Sequence, residues 1–248
     1  MNRANYLYLL CSALVVVTRP AMAQDKYYDF GFVGASAAYG QSVFSDKDDA
    51  QFSLEPNLFY NGEYGFIDGS LVNVSLLPYV GLTGNWRFAQ VSNDFDNLPS
   101  GIEDREGNGE LGITLGTVGA RLTYLHDVTS VHSGYEVQLH LGRTLTTPYP
   151  QFTLTPYVEI DYRDKKLSRH LYSVSPDEAV KSGLNQHDAA SSWVYQAGLI
   201  GIYNITPTWL GLAKFELEHH DENSPLVQRD LGWSMSLGIT YKFTDYLF

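Results

Sequence analysis

Four groups of residues in this 248-residue chain are of types that do chemistry. His219-His220-Asp221, with Ser224 close behind, offers the ligands of a metal site or the parts of a hydrolase. Adjacent residues on a strand point to opposite faces, so the two histidines cannot readily share one ion. A serine without a positioned base is no nucleophile. Polar residues at the edge of a loop are the expected reading. Asp161, His170 and His187 would be the partners in a Ser-His or Asp-His constellation, but loops are commonly rich in such residues. No enzyme activity, cofactor or metal site is therefore expected.

The third group is Ser175-Pro176-Asp177-Glu178. Serine as N-cap, proline at the first helical position and glutamate three residues on mark a helix start. The helix should end near Gly183. It is either a lid over an opening or a self-capped ornament of a loop. The fourth group is acidic: Glu55, Glu136, Glu159, Asp161, Glu216 and Glu218, joined by Asp29 and only partly offset by Arg87, Arg121, Lys214 and Lys242. If these face one enclosed space, the six carboxylates are candidates for cation binding, because acid excess in a confined space favours cations. Alternatively they pair within a closed, packed interior.

The elements that must position these groups are strands. Trp233, Met235, Leu237, Ile239, Tyr241 and Phe243 are large and apolar, and the residues between them are small or polar. Strict period-two alternation puts one face in an apolar medium and the other in a polar one. The same pattern sets Phe152 to Tyr162 against Thr153 to Arg163, and Tyr135 to Leu141 against Glu136 to Gly142. It recurs from Trp193 to Tyr203, and more weakly at 27–39, 52–60 and 209–219. A soluble sandwich also alternates, but its strands usually run about 5 or 6 residues. These runs have the roughly 9 to 13 that a tilted strand needs to cross a bilayer, with aromatics at their ends.

Loop lengths give the topology. Barrels in outer membranes have short periplasmic turns and long outer loops. Counting back from the C-terminus, 222–230, 164–190 and 92–109 fall outside, while 206–208, 146–151 and 116–119 fall inside. Residues 61–91 hold either one strand or three. Asn61-Gly62, Asp68-Gly69 and Pro78 are turn signals that favour three. The fold expected is an all-β, antiparallel transmembrane barrel of 12 strands, with ten as the alternative.

Residues 1–23 read as a signal peptide: Arg3, an uncharged run from Ala4 to Val17, and Ala21-Met22-Ala23 before cleavage at Gln24. Residues 24–248 are then one barrel domain. Cys11 is the sole cysteine, so the mature chain has none. Losing Arg3 and Arg19 leaves 14 basic against 28 acidic residues, a net charge of −14. So acidic a chain is a poor partner for nucleic acid. Its partners should be the outer-membrane bilayer and the barrel assembly machinery. Either Phe243 or Phe248 would be the assembly signal; Phe243 is in phase with the outward residues and Phe248 is not.

Three segments resemble the MltA-interacting protein / OmpV (MipA/OmpV) family of outer-membrane proteins. Tyr172-Ser173-Val174-Ser175-Pro176-Asp177-Glu178-Ala179, with Ser182-Gly183-Leu184 and Asp188-Ala189, looks like the family's aromatic-x-Val-Thr-Pro-x-x-Ala…Ser-Gly-Leu run. Asn223-Ser224-Pro225-Leu226-Val227 is similar to its Asp-Ser-Pro-Ile/Leu element, with Asn where Asp is usual. Tyr241-Lys242-Phe243 resembles its closing Tyr-Arg/Lys-Phe. The resemblance implies a non-enzymatic scaffold that links a murein lytic transglycosylase to a murein synthase. The acidic interior gives the alternative, a narrow channel for small cationic solutes.

Overall fold

The computed structural model describes residues 29–45, 47, 50–92 and 98–244. The expected signal peptide and Phe248 lie outside these residues. The strands are β1 (Phe30–Gln41), β2 (Gln51–Gly62), β3 (Gly65–Asp68), β4 (Leu71–Leu77), β5 (Val80–Arg87), β6 (Asn108–Thr117) and β7 (Ala120–Asp127). They continue with β8 (Tyr135–Gly142), β9 (Leu145–Thr146), β10 (Phe152–Arg163), β11 (Ser192–Asn204), β12 (Trp209–Asp221) and β13 (Gly232–Lys242). Each pairs antiparallel with its neighbours, and β13 pairs with β1 from Phe32↔Lys242 to Gln41↔Trp233, closing the sheet. β9 pairs with β10 as the continuation of β8, so the wall is a barrel of twelve strands. Residues 61–91 hold three of them, β3, β4 and β5.

Alternation governs which side chains face out. Leu237, Ile239, Tyr241 and Trp193 lie on the exposed outer surface, while Ser236, Thr240 and Val194 are buried in the interior. An exposed apolar band this continuous is the surface of a barrel in a bilayer. Short turns close one end: 63–64, 78–79, 118–119, 147–151 and 205–208. Longer loops rise from the other, apart from the two-residue link 69–70 between β3 and β4.

Two prolines mark where the ladder is broken. The Pro156 carbonyl accepts from the Arg143 N–H at 3.1 Å, so its missing N–H faces the break between β8 and β9. Pro56 is the second. The Leu58 carbonyl accepts from Gly69 N–H, so the even residues of β2 direct their main-chain groups towards β3. β3 pairs with β2 only from Phe59 to Gly62, which leaves Pro56 on an edge that has no neighbour among the described residues.

Most of the apolar core lies above the barrel. Val43, Phe44, Val91, Leu98, Ile102, Leu167, Leu171, Tyr172, Val174, Ala189 and Leu226 form one buried cluster drawn from four long loops. Two helices belong to it, α1 (Lys165–Tyr172) and α2 (Pro176–Ser182). α1 buries Leu167, Ser168, Leu171 and Tyr172, which the i, i+3/i+4 spacing places on one face. The cap crosses the mouth at the long-loop end.

Candidate functional site: the paired lumen and its cap

The interior is lined by rows of side chains joined across strands. A hydroxyl and amide ladder runs from Asn73 to Thr83 (3.0 Å), Thr114 (2.6 Å) and Thr123 (3.0 Å). Above it lies an ionic network. Arg87 on β5 donates from Nε to Glu110 at 2.8 Å and from Nη2 to Glu136 at 2.8 Å. Arg163 on β10 donates from Nε to the other Glu136 oxygen at 2.8 Å. All four are buried; Glu136 has no exposed surface. A charge removed from water needs opposite charge and filled hydrogen-bonding capacity, and Glu136 has both arginines plus Gln138 Nε2 at 2.6 Å.

The network continues into the cap. Arg163 Nη1 donates to the Tyr172 hydroxyl at 2.6 Å, and that oxygen lies 3.0 Å from His220 Nδ1. His220 Nε2 is 3.0 Å from Glu218. Ser224 donates to the Tyr172 carbonyl at 2.5 Å. His220 and Ser224 are thus buried framework groups. His219 is on the opposite face, with Nδ1 at 2.5 Å from the Asp230 carbonyl. Among the described residues, no group of three potential metal ligands forms a cluster.

The six candidate carboxylates all face inward, on four different strands. Glu136 is the centre of the network above. Glu159 lies 2.8 Å from His140 Nδ1. Glu216 is 2.9 Å from Lys214 Nζ and accepts from the Tyr157 hydroxyl. That contact passes over Gly198, where any Cβ would collide with the Tyr157 ring. Glu218 accepts from Gln196 at 3.2 Å and faces His220. Asp161 is buried with Oδ1 lacking a hydrogen-bond partner among the described residues. Glu55 is exposed, with no hydrogen bond or ion pair to any described residue. Asp29 lies just before β1 and accepts from the Tyr60 hydroxyl at 3.2 Å.

Sequence reasoning did not single out Glu110, His140 or the cationic role of Arg163. Arg163 stands on the inward face of a clear strand, so its face was legible. Its partner on β8 was not, because pairing across strands leaves no mark in a local pattern.

The lid candidates are at the start of α2. Ser175 Oγ accepts from Glu178 N–H at 3.2 Å, and Glu178 Oε2 accepts from Ser175 N–H at 2.9 Å, forming a capping box. Pro176 is the first helical residue, and Gly183 ends the helix at φ 77°. Asp177 lies in the first turn. Glu178 also reaches the preceding long loop, 2.8 Å from Arg105 Nη1 and 3.1 Å from the Glu103 N–H. Burial raises its carboxyl pKa, but hydrogen bonds from Arg105, Ser175 and Glu103 more than offset this and hold it at about 2. An open depression of about 490 Å³ lies on the cap between Arg105, Arg169, His170, Glu178 and His187.

The model of the family MltA-interacting protein MipA matches residues 33–243, from the first strand to the end of the last. This chain belongs to that family. The MltA-interacting protein of Escherichia coli K12 is 31% identical over 94 residues, 37% of this chain and 38% of that protein. The Shigella flexneri protein of the same name gives the same figures. The aligned stretch thus spans about two fifths of those relatives. Among solved structures, the outer membrane channel DcaP of Acinetobacter baumannii aligns with TM-score 0.37 and 11% identity, over 92% of this chain and all of that one. The outer membrane protein OprG of Pseudomonas aeruginosa aligns with TM-score 0.30 and 11% identity, over 88% and 97%. The barrel of this MipA-family chain ends in a cap made from the loop run that carries the family resemblance.

Proposed function

We propose that this MipA-family barrel is a non-catalytic anchor in the outer membrane that holds a murein lytic transglycosylase at its periplasmic rim. Export would use residues 1–23, and insertion the barrel assembly machinery. The observation that carries the reading is at the short-turn end. Tyr64, Tyr79 and Tyr149 each sit in a separate turn and are strongly exposed. Tyrosine supplies large, rigid, amphipathic contact area, the kind that dominates protein interfaces. The cap and the paired lumen charges leave the rims as the surfaces best suited to a partner. The name of the E. coli relative, MltA-interacting protein, points to the partner class.

The test is capture of a purified lytic transglycosylase by the intact barrel in nanodiscs. Wild type should retain it, and the triple variant Tyr64→Ser/Tyr79→Ser/Tyr149→Ser should bind about 10- to 100-fold more weakly while keeping heat-modifiable mobility. A wild-type barrel that captures no such enzyme removes the reading.

A second reading is supported by Glu55 and Asp161, the two inward acids without a hydrogen-bonding partner among the described residues. In it, Glu55, Glu136, Glu159, Asp161, Glu216 and Glu218 form a cation-binding path through a lumen that opens when the α2 lid moves. Single-channel recordings of wild type and Glu159→Gln/Glu216→Gln test it. Anion selectivity, or silence from a folded barrel, ends it.

A further inference from the structure

The wall has a notch. β1 accompanies β2 along its length, with Gly40 opposite Gln51. On the other side β3 stops at Asp68, opposite Phe59, and the chain turns back at Gly69-Ser70 into β4. Among the described residues, none pairs with the β2 edge from Phe52 to Asn57. The next wall beyond the gap is β5, where Trp86 N–H bonds to the Ser70 carbonyl at 3.4 Å. The strands are staggered, so a line drawn across the hydrogen bonds climbs from β2 to β5. It brings Trp86 and Arg87 level with the middle of the unpaired stretch. The opening is about two strands wide, or ~10 Å, and roughly 15 Å tall for strands tilted near 45°. It lies in the half of the barrel nearer the cap.

An open sheet edge facing lipid is costly, because its main-chain groups have no partner there. Here the edge is asymmetric. The groups of Phe52, Leu54 and Pro56 point into the gap, and Pro56 contributes a carbonyl without an N–H. That disfavours a strand adding to the edge and leaves it rich in acceptors. On the lumen side of the same segment Glu55 is exposed and makes no hydrogen bond or close ion pair with a described residue, Lys214 being near enough only to feel its charge. At the floor Asp68 is 36% exposed, though 2.7 Å from Arg121. Ser70 bonds to Asn85 at 2.9 Å at the floor. Towards the membrane the rim is apolar, with Phe52, Leu54, Trp86 and Phe88 all exposed.

We propose that this notch is a lateral port from the outer leaflet into the lumen, and that it takes a cationic amphiphile with a primary ammonium head. An ammonium has three donors and no acceptor, which matches an edge of carbonyls beside an exposed carboxylate. The head binds Glu55 and the carbonyls of Leu54 and Pro56, while the alkyl chain stays against Phe52, Leu54 and Phe88. With the mouth capped, the notch gives access from the side. This inference is independent of the partner at the turn end.

The experiment measures dodecylammonium binding to the full-length protein in nanodiscs, with empty nanodiscs as background and dodecyl sulfate as the anionic counterpart. Wild type should bind the amine saturably and the sulfate not at all. Glu55→Gln should weaken the amine at least about tenfold, the value of one charge-assisted hydrogen bond. Ser70→Trp, which fills the floor and leaves Glu55 intact, should weaken it comparably. Both variants are checked for heat-modifiable mobility. The proposal is overturned if no saturable binding is seen, if the sulfate binds equally, or if either folded variant binds the amine as wild type does.

Discussion

Arg163, at the end of β10, donates from Nη1 to the hydroxyl of Tyr172, at the end of α1, and both side chains are buried. The same guanidinium holds Glu136 through Nε. One residue therefore ties the ionic network of the lumen to the core of the cap.

Tyr172→Phe keeps the ring in the apolar cluster but strips Arg163 Nη1 and His220 Nδ1 of a shared partner. Leaving buried polar groups unpaired costs about 1–3 kcal/mol. The urea midpoint of the refolded barrel should fall accordingly, and the 164–190 loop should become cleavable by protease before the strands do. A variant with wild-type midpoint and cleavage pattern would show that the two halves are not coupled here.

Glu136→Gln is expected to be the most damaging single charge change in the lumen. It leaves two buried arginines facing a neutral amide, and breaking a buried pair costs about 3–5 kcal/mol. Glu159→Gln is the comparison, since Glu159 is more exposed and faces a single histidine at 2.8 Å. Equal losses in the two variants, measured by unfolding in the same lipid, would contradict the ranking.

The cap should loosen in acid through Glu178. Its folded carboxyl titrates at about 2, against about 4.3 for an unfolded glutamate. A depressed value means the contribution is complete above the unfolded range and is lost as pH falls from about 4.5 towards 2. The protection factors of α2 amides, corrected for the intrinsic exchange rate at each pH, should fall across that window in wild type. In Glu178→Gln protection should be low throughout and flat with pH in this interval, with the capping box weakened by about 1 kcal/mol.

Pro156→Ala restores an N–H facing the break between β8 and β9. The new hydrogen bond gains about 0.5–1.5 kcal/mol, and the freer unfolded chain costs roughly 0.4–1. Net stability should therefore change by between about −0.5 and +1.1 kcal/mol, while the new amide at position 156 exchanges slowly. A rapidly exchanging amide would mean that the break has another cause.

The strands were legible because period-two alternation is a local property. Trp233 to Phe243 and Phe152 to Tyr162 announce their outward faces without reference to any neighbour. Turn signals between Asn61 and Pro78 were enough to find three strands there. The capping box at Ser175 and Glu178 was equally local, since both partners lie within one helical turn.

What the tertiary structure alone decided is everything that depends on register. Glu136 sits between Arg87 and Arg163, residues 49 positions before it and 27 after. Only the stagger of a closed sheet brings them to one level. The inward acids read as an excess in the sequence, yet five of the six face an assigned neighbour once β5, β6, β8, β10, β11 and β12 are aligned, or lie buried beside one. Glu55 is the exception, because the strand that would have stood beside it ends at Asp68. A one-dimensional pattern fixes which way a side chain points; which side chain it meets depends on how far each strand slides against the next, and that is set by the barrel as a whole.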